Sequence, residues 1–219
     1  LRIASLDRER EWPFAPTQGL EPGHPIIAGA RLGMVQETET IEHRILVPPD
    51  VSGELIDLAP AGKYTLDKTI ARVRDPHGEV HKLKLYHRWP VRTPRPYGQR
   101  DHGVEPLITG QRILDTFFPL LKGGKGAVPG PFGAGKTMVQ QQVARWSNAD
   151  IVIYVGCGER GNELVDVLES FPQLQDPHTG RGMMERTLLV ANTSNMPVVA
   201  REASIYVGMT MAEYFRDQG

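Results

Sequence analysis

AVPGPFGAGKT at residues 127–137 and IVIYV at residues 151–155 are the two stretches that decide the fold of this chain. Within the first, residues 130–137 match the spacing G-x-x-x-x-G-K-T, and a short apolar segment precedes them. The second is a run of β-branched and aromatic residues, which is typical of a strand that is covered on both faces of a sheet. A strand followed by a glycine-rich loop and another buried strand predicts an α/β fold.

Stretches in which apolar residues recur at helical spacing separate the predicted strands. Between the glycine-rich loop and residues 151–155 the apolar residues recur at i, i+4 and i+7, and the same spacing leads to a further apolar run at residues 188–190 and continues after it. The residues on these predicted helix faces are Val139, Val143 and Trp146, then Leu164, Leu168 and Phe171, then Val199, Ala203, Val207, Met211 and Tyr214. Asn195 is placed to cap the last helix, with Pro197 in its first turn. Strands that alternate with helices predict a parallel sheet.

The glycine-rich loop has the composition that phosphate binding requires. Glycines let the backbone wrap around an anion and turn its N–H groups inward, and the following helix adds its positive end. Lys136 can reach the β- and γ-phosphate oxygens, and the hydroxyl of Thr137 can coordinate Mg²⁺. The sequence therefore predicts a P-loop for ATP or ADP with Mg²⁺. Its residues are Gly130, Pro131, Phe132, Gly133, Ala134, Gly135, Lys136 and Thr137.

Two charged residues follow the strand at residues 151–155. Ligands of open parallel sheets gather at the carboxyl ends of the strands, so Glu159 should face the P-loop. A carboxylate there can accept a proton from attacking water, and Arg160 brings a cation to the same phosphates. From spacing alone, an ion pair in a solvated loop explains Glu159 and Arg160 equally well. Cys157, which has no histidine near it in sequence, is expected to be a buried, inert thiol.

Residues 1–87 have a different sequence pattern. Short stretches of alternating polar and apolar residues, typical of strands, are separated by turns that contain proline and glycine. We expect a small β-rich domain there, an extended proline-rich linker over residues 88–106, and the P-loop domain over residues 107–219. Since the chain does not begin with Met and stops just after a predicted helix, we expect it to be a piece of a longer protein.

At these residues the chain closely resembles the catalytic A subunit of the V/A-type rotary ATPases and ATP synthases. The resemblance covers essentially the whole chain. The matching stretches are residues 46–51, 60–65, 129–137, 146–150, 154–163, 191–197 and 200–206. Phe132 within the P-loop favours this family over the catalytic chains of the F-type synthases.

The resemblance implies a fold and a role for each matched residue. The fold is a RecA-like P-loop NTPase sheet, here incomplete, preceded by a barrel-like insertion domain at residues 1–87. Lys136 would bind the β- and γ-phosphates, Thr137 would bind magnesium, Glu159 would activate water, and Arg160 would lie near the phosphates. Alone, the chain is expected to hydrolyse ATP only at a trace rate, because the resemblance places the rest of the nucleotide site outside it.

Partners also follow from the resemblance. A subunits alternate with B subunits in a hexameric ring around a central rotor stalk, and the B subunits supply an arginine finger. The insertion domain would dock to a peripheral stalk. The complex couples ATP hydrolysis or synthesis to proton or sodium transport, so the chain would meet the membrane only through the complex, on the cytoplasmic side.

Composition limits the other classes of function. The formal net charge is -1, so no global basic field exists to bind nucleic acid. A single cysteine excludes an internal disulfide. His77, His81 and His87 have spacings that suit no standard zinc pattern, and we expect them on the surface.

Two other interpretations remain open from the sequence. The chain could be a non-catalytic, structural nucleotide-binding member of the same ring or an inactive fragment, and Glu159 is the residue that distinguishes these from a catalytic chain. Alternatively, residues 52–73 look like a lipoyl- or biotinyl-type barrel with Lys68 as the carrier. A carrier lysine belongs on an exposed hairpin turn, whereas Lys68 directly precedes an apparent strand.

Overall fold

The structure is a computed structural model that describes residues 6–37, 41–97, 103–131 and 133–219. The chain divides into two compact units. One comprises Leu1–Pro96 with Tyr214–Gly219, and the other comprises Tyr97–Glu213. Among the helices of the described ranges, none combines the length and the apolar character that a membrane span needs.

The first unit consists of two antiparallel four-stranded sheets. Their orders are β4-β3-β1-β6 and β2-β5-β7-β8. The strands are β1 (Glu11–Pro16), β2 (Pro25–Ile26), β3 (Arg31–Gln36), β4 (Glu42–Leu46), β5 (Gly53–Leu58), β6 (Gly62–Thr65), β7 (Thr69–Arg74) and β8 (Val80–Lys84). The β-rich character expected of this part of the sequence is therefore confirmed.

Alternating side chains from both sheets form one apolar core. Phe14 and Leu32 enter it from the first sheet, and Leu55, Ile70 and Val73 enter it from the second, each at most 2% exposed. In β7 the pattern alternates cleanly at its end, because Val73 is buried whereas Arg72 and Arg74 on either side are exposed. The hydrophobic effect of this shared core is what holds the two sheets together.

Lys68 lies in the turn between β6 and β7 and is exposed. Its backbone N–H donates to the carbonyl of Thr65 at 3.1 Å. The two flanking strands belong to different sheets, so this turn is not a hairpin. The position differs from the hairpin tip that a carrier lysine needs, and it argues against the carrier interpretation.

The linker expected over residues 88–106 is not simply extended at its start. The backbone N–H of Thr93 donates to the carbonyl of Pro90 at 3.0 Å, which closes a turn, and the indole of Trp89 donates to Thr93. Arg95 is only 3% exposed, and its Nε donates to Asp217 at 2.7 Å. Prolines restrict each residue locally, but a buried ion pair 122 residues apart in sequence fixes the path. Residues 98–102 of this linker lie outside the described residues.

A second contact to Arg95 shows that one histidine expectation was wrong. The guanidinium Nη1 lies 3.1 Å from Nε2 of His87, which also packs edge-on against the ring of Tyr214. Burial, together with the charge of Arg95, lowers the pKa of His87 below its ordinary value. His87 is therefore part of a packed polar cluster, whereas His77 is exposed as expected.

The second unit has the alternating order that the sequence predicted. Its elements are β9 (Pro106–Leu107), α1 (Arg112–Phe117), β10 (Leu120–Leu121), α2 (Lys136–Trp146), β11 (Val152–Glu159), α3 (Gly161–Ser170), β12 (Thr187–Thr193) and α4 (Val198–Asp217, residues 198–213 within this unit). Strands β9 and β10 form a short antiparallel pair. Strands β11 and β12 pair in parallel, as the strand–helix–strand pattern requires.

Helices cover β11 on both faces. Val155 contacts α4 so closely that a Cβ on Gly208 would collide with it, whereas the next residue, Gly156, faces Leu164 of α3. On the same side as Gly156, the ring of Tyr154 meets Phe171 edge-on at 5.8 Å. Successive strand residues thus face opposite helices, which explains why this strand is apolar at consecutive positions.

Some details of the predicted helices were wrong. On α3, Val167 is buried at 1% exposed, whereas Leu168 is 46% exposed. On α4, Ser204 and Gly208 are the buried residues, whereas Val199 is 69% exposed, because small residues allow the close approach to β11. Helical periodicity locates an apolar stripe only to within one neighbouring residue, and it does not detect a stripe of small residues.

Asn195 does not cap α4. The helix begins at Val198, and the carbonyl of Pro197 accepts hydrogen bonds from the N–H groups of Ala200 and Arg201. The side-chain oxygen of Asn195 instead accepts a bond from the hydroxyl of Thr193. The asparagine is used in the turn that precedes the helix, which is a second position that this residue type favours.

The matched pair Ile70→Ala and Ile27→Ala tests the position of the core in the first unit. Ile70 is 1% exposed and Ile27 is 72% exposed. Ile70→Ala should lower the free energy of unfolding of this unit by about 2–5 kcal/mol, because it removes buried methyl groups and leaves a cavity. Ile27→Ala should change it by no more than about 0.5 kcal/mol. Urea dependence of hydrogen exchange at the amides of β5 and β7 measures both changes. Equal effects of the two substitutions would contradict this core.

Candidate nucleotide-binding site

The glycine-rich loop leads directly into α2. Gly133 and Gly135 have φ angles of 78° and 82°, in the left-handed region that only glycine adopts at little cost. Gly135 occupies the N-cap position of α2 and offers no side-chain acceptor to the first N–H groups of the helix. The positive end of an eleven-residue helix is therefore open towards the loop. Phe132 lies outside the described residues.

The Lys136 side chain folds back over the loop. Its Nζ donates to the carbonyl of Gly130 at 2.5 Å and to that of Pro131 at 3.1 Å. These carbonyl oxygens carry partial negative charge and pair with the ammonium group. Thr137, on the first turn of α2, is half-buried beside it. The glycine-rich loop, Lys136 and Thr137 thus lie together and carry hydrogen-bond donors of the kind that bind an anion.

Glu159 is the last residue of β11. A bulge between Cys157 and Glu159 shifts the register with β12, so that Glu159 pairs with Thr193. The carbonyl of Glu159 accepts a hydrogen bond from the N–H of Ser194 at 2.9 Å, which ties the two strand ends together. The two strand ends therefore lie side by side, as expected for neighbouring parallel strands.

The electrostatics of Glu159 connect it to the P-loop. Partial burial raises the pKa of Glu159, and a hydrogen bond and charge repulsion from Glu163 raise it further. The positive charge of Lys136 acts in the opposite direction and lowers the pKa of Glu159. Two carboxyl groups can share a hydrogen bond only when one carries a proton. The site thus combines a paired acid with a cation that favours its ionised form.

Arg160 and Cys157 flank the same strand end. Arg160 is the N-cap residue of α3, its side chain is exposed, and its carbonyl accepts a hydrogen bond from the N–H of Leu164 at 3.0 Å. The expectation that Cys157 is buried was wrong, because the residue is exposed. Its side chain points towards α4 rather than α3, and its Sγ lies 3.2 Å from the carbonyl oxygen of Arg201.

Two residues of the site were missed by the sequence reasoning. Glu163 follows Glu159 by four positions, across the junction between β11 and α3, and this acid–acid spacing was the available signal. Arg201 lies within a stretch that carried the family resemblance, but no pattern in the sequence assigned it a role. Its contact with the β11 end became visible only in the folded chain.

Among the described residues, one group of three side chains has ligand atoms close enough to hold a metal ion. Asp75, Glu79 and His81 place these atoms within 4.8 Å of one another, in the first unit. Asp75 already accepts backbone hydrogen bonds from His77 and Glu79 at 2.9 Å and contacts His81 at 3.1 Å. A turn stabilised by one aspartate accounts for this arrangement without an ion.

Titration of Glu159 tests the geometry of the site without any ligand. Glu163→Gln should lower the pKa of Glu159, because both contributions of Glu163 raise it, and Lys136→Met should raise that pKa, because a favourable cation is lost. Since the pKa of Glu159 is higher in the folded chain than in the unfolded one, its contribution to stability is present at acid pH. That contribution is lost as the pH rises from about 4.3 through the raised pKa.

Carboxyl carbons of isotopically labelled glutamate report each pKa by NMR in the 219-residue chain. Glu169→Gln, an exposed position on α3, is the control and should leave the pKa of Glu159 unchanged. A titration of Glu159 that responds to neither Glu163→Gln nor Lys136→Met would contradict the described arrangement.

Two family models match this chain. The ATP synthase alpha/beta family, nucleotide-binding domain, matches residues 110–219, and the ATPsynthase alpha/beta subunit barrel-sandwich domain matches residues 3–92. The second match agrees with the two packed sheets of the first unit, and the first match contains the glycine-rich loop and Glu159.

Similar proteins span the whole chain. A V-type ATP synthase alpha chain from Nitrosococcus oceani is 70% identical over all of this chain and 37% of its own length. The A subunits of two A-type ATP synthases are each 58% identical. The one from Methanopyrus kandleri matches over 99% of this chain and 36% of that protein, and the one from Thermococcus kodakarensis over 100% and 37%. This chain therefore spans little more than a third of the length of these relatives.

Among solved structures, an ATPase from the type III secretion system of pathogenic bacteria is 29% identical, over 56% of this chain and 34% of its own, with a TM-score of 0.45. The two matched domains cover most of the sequence in the same order as the two kinds of structure in the chain. The chain belongs to the ATP synthase alpha/beta family, and its relatives at 58–70% identity are A subunits, or the alpha chain, of A-type and V-type ATP synthases.

Proposed function

We propose that this chain binds Mg-ATP and Mg-ADP and forms the phosphate-binding part of the catalytic site in the A subunit of a V/A-type rotary ATPase or ATP synthase. The observation that carries the proposal is the glycine-rich loop that leads into α2, with the Lys136 ammonium group hydrogen-bonded to the loop carbonyls. The charge of Lys136 also lowers the pKa of Glu159, which lies at the end of β11. A cation for phosphates and a carboxylate for water are the two groups that this hydrolysis needs.

Phosphate binding is assigned to residues 130–137. The loop N–H groups and the open end of α2 would donate to the α- and β-phosphates, and Lys136 would exchange its contacts with Gly130 and Pro131 for β- and γ-phosphate oxygens. Thr137 would hold Mg²⁺ through its hydroxyl. The ion, when bound, neutralises charge on the phosphate oxygens.

Proton transfer is assigned to Glu159. In hydrolysis, a water molecule attacks the γ-phosphorus and gives a proton to the Glu159 carboxylate, while the bond to the β-phosphate oxygen breaks and ADP leaves. A carboxyl group whose pKa is raised is a better proton acceptor than an ordinary glutamate. Arg160, one residue further along the chain, would stabilise negative charge on the phosphates.

The remaining elements of the proposal rest on the family. In the complete protein, A subunits would alternate with B subunits in a hexameric ring, with an arginine finger from B at each site. A central rotor stalk and a peripheral stalk, docked to the first unit, would couple the nucleotide reaction to proton or sodium transport. The chain would then lie in the head of the complex on the cytoplasmic side of the membrane.

A non-catalytic role in the ring is the second candidate. Its support is that burial and the neighbouring Glu163 raise the pKa of Glu159, because a carboxyl group that holds a proton is not free to accept one from water. The two candidates predict the same nucleotide binding but different consequences of replacing Glu159.

Replacement of the P-loop lysine tests nucleotide binding. Lys136→Met should weaken the affinity of the chain for Mg-ATP by about 10–100-fold, because charge-assisted hydrogen bonds to phosphate are lost. Lys125→Met removes the same charge from an exposed position nearby and should change the affinity by less than about threefold, as surface charges contribute little. Isothermal titration calorimetry with Mg-ATP measures both. Equal affinities of the Lys136→Met variant and the unmodified chain would refute the phosphate site.

Replacement of the candidate base separates the two functions. Glu159→Gln in the complete synthase should preserve Mg-ATP binding and lower ATP turnover by about 10²–10⁴-fold, the usual contribution of a general base. Glu169→Gln serves as the control. Undiminished turnover in the Glu159→Gln enzyme would favour the non-catalytic role. The 219-residue chain by itself should hydrolyse ATP only at a trace rate, and turnover near that of the complete enzyme would contradict the proposal.

A further inference from the structure

The turn that carries Glu159 lies directly on the side chain of Arg201. Gly158 has a φ angle of 78°, and a Cβ at this position would lie 3.2 Å from Nη1 and 3.4 Å from Cδ of Arg201. The neighbouring Cys157 donates through its Sγ to the carbonyl oxygen of Arg201 at 3.2 Å. Cys157 is therefore in contact with Arg201 of α4, and the Arg201 side chain lies so close to Gly158 that any side chain there would meet it.

Arg201 itself is held firmly on α4. Its N–H donates to the carbonyl of Pro197 at 3.1 Å, and its carbonyl accepts the hydroxyl of Ser204 at 2.6 Å. Ser204 is only 3% exposed, and Gly208, one turn further along, packs against Val155 of β11. The first turns of α4 are thus fixed on the face of the strand whose end carries Glu159.

The Nε atom of Arg201 is a buried donor, and its burial costs free energy. This atom is inaccessible and has no hydrogen-bond partner within the part of the chain that the structure describes. An unsatisfied buried donor destabilises a fold, so a lysine or methionine stem would fill the same space with a smaller penalty. The shape of the group offers a reason for arginine, because its planar end is flat and stiff where it meets Gly158.

We infer that Arg201 is a positioning residue for Glu159. Its side chain lies beside Gly158 and supports the bulge between Cys157 and Glu159, so that the orientation of the Glu159 carboxyl group is maintained. This inference rests on the proposed function, since it concerns the orientation of the candidate base. Arg201 touches neither Lys136 nor the P-loop in any described contact, so it should affect the chemical step rather than nucleotide binding.

Arg201→Lys and Arg201→Met in the complete synthase test the inference. Both variants remove the planar contact, and the lysine variant retains the charge. Each should lower kcat by about tenfold or more, because small displacements of a catalytic group are costly, while the KM for Mg-ATP changes by less than about twofold. The acid limb of the pH–rate profile should also move, because the distances from Glu159 to Lys136 and Glu163 change. A purely structural role would not move that limb.

Arg181→Ala, an exposed arginine of the same unit, is the control and should leave kcat and the pH profile unchanged. Retention of tight Mg-ADP binding shows that a variant has folded. Gly158→Ala perturbs the same turn, because alanine is strained at a φ of 78° and the added Cβ also meets the guanidinium of Arg201. Its loss of kcat should be less than additive with that of Arg201→Met. If Arg201→Lys, Arg201→Met and Gly158→Ala all kept kcat within about twofold and the acid limb in place, the inference would be overturned.

The outcome for Arg201 is separable from that for the proposed function. An inactive Glu159→Gln enzyme together with fully active Arg201 variants would overturn the positioning role alone. Turnover that survives Glu159→Gln would overturn the catalytic role of Glu159 and the positioning role with it.

Discussion

The parallel pairing of β11 with β12 is the constraint on which the candidate site depends. Parallel strands cannot be joined by a tight turn, so α3 must cross over between them, and both strands must end at the same edge. Each backbone step along β11 turns the next side chain towards the opposite helix. Gly156 therefore faces Leu164, and Cys157 faces Arg201. The bulge before Glu159 changes this alternation at the last position, because the Glu159 side chain lies next to Gly156 on the α3 side.

Much of this arrangement is encoded locally and could be predicted from the sequence. The β-branched run of β11 favours a strand because such side chains suit a pleated, half-buried surface, and the left-handed angles of the glycine-rich loop favour glycine. The alternation of strands with helices then leaves a parallel pair as the simple solution. Glu159 could be placed at the strand end by the same reasoning. The four-residue spacing between Glu159 and Glu163 is visible in the sequence, but it did not lead to a predicted role for Glu163.

What could not be predicted depends on contacts between distant residues. Arg95 is buried because Asp217 neutralises it, and no window of sequence contains both. Asn195 is a residue type that often caps helices, but its side-chain oxygen accepts a hydrogen bond from the hydroxyl of Thr193 instead. The apolar stripe of α4 was misplaced because Ser204 and Gly208, which are weakly apolar, form the close contact with β11. In each case a rule about residue type gave several acceptable positions, and packing selected one.

The charges around Glu159 favour a change of state when an anion binds. In this structure, Lys136 lowers the pKa of Glu159 and Glu163 raises it, so the two effects partly oppose each other. Phosphate groups in the loop would engage Lys136 and add negative charge near the carboxyl group, and both changes raise the pKa of Glu159 further. Under the proposed function, Glu159 would then be most basic when substrate is present. A base of this kind is useful only if its position is fixed, because a raised pKa increases its affinity for any nearby proton and not only for that of the attacking water. The proposed positioning role of Arg201 would supply such a restraint through the turn at Gly158, without using the Lys136 donors that the phosphates would engage.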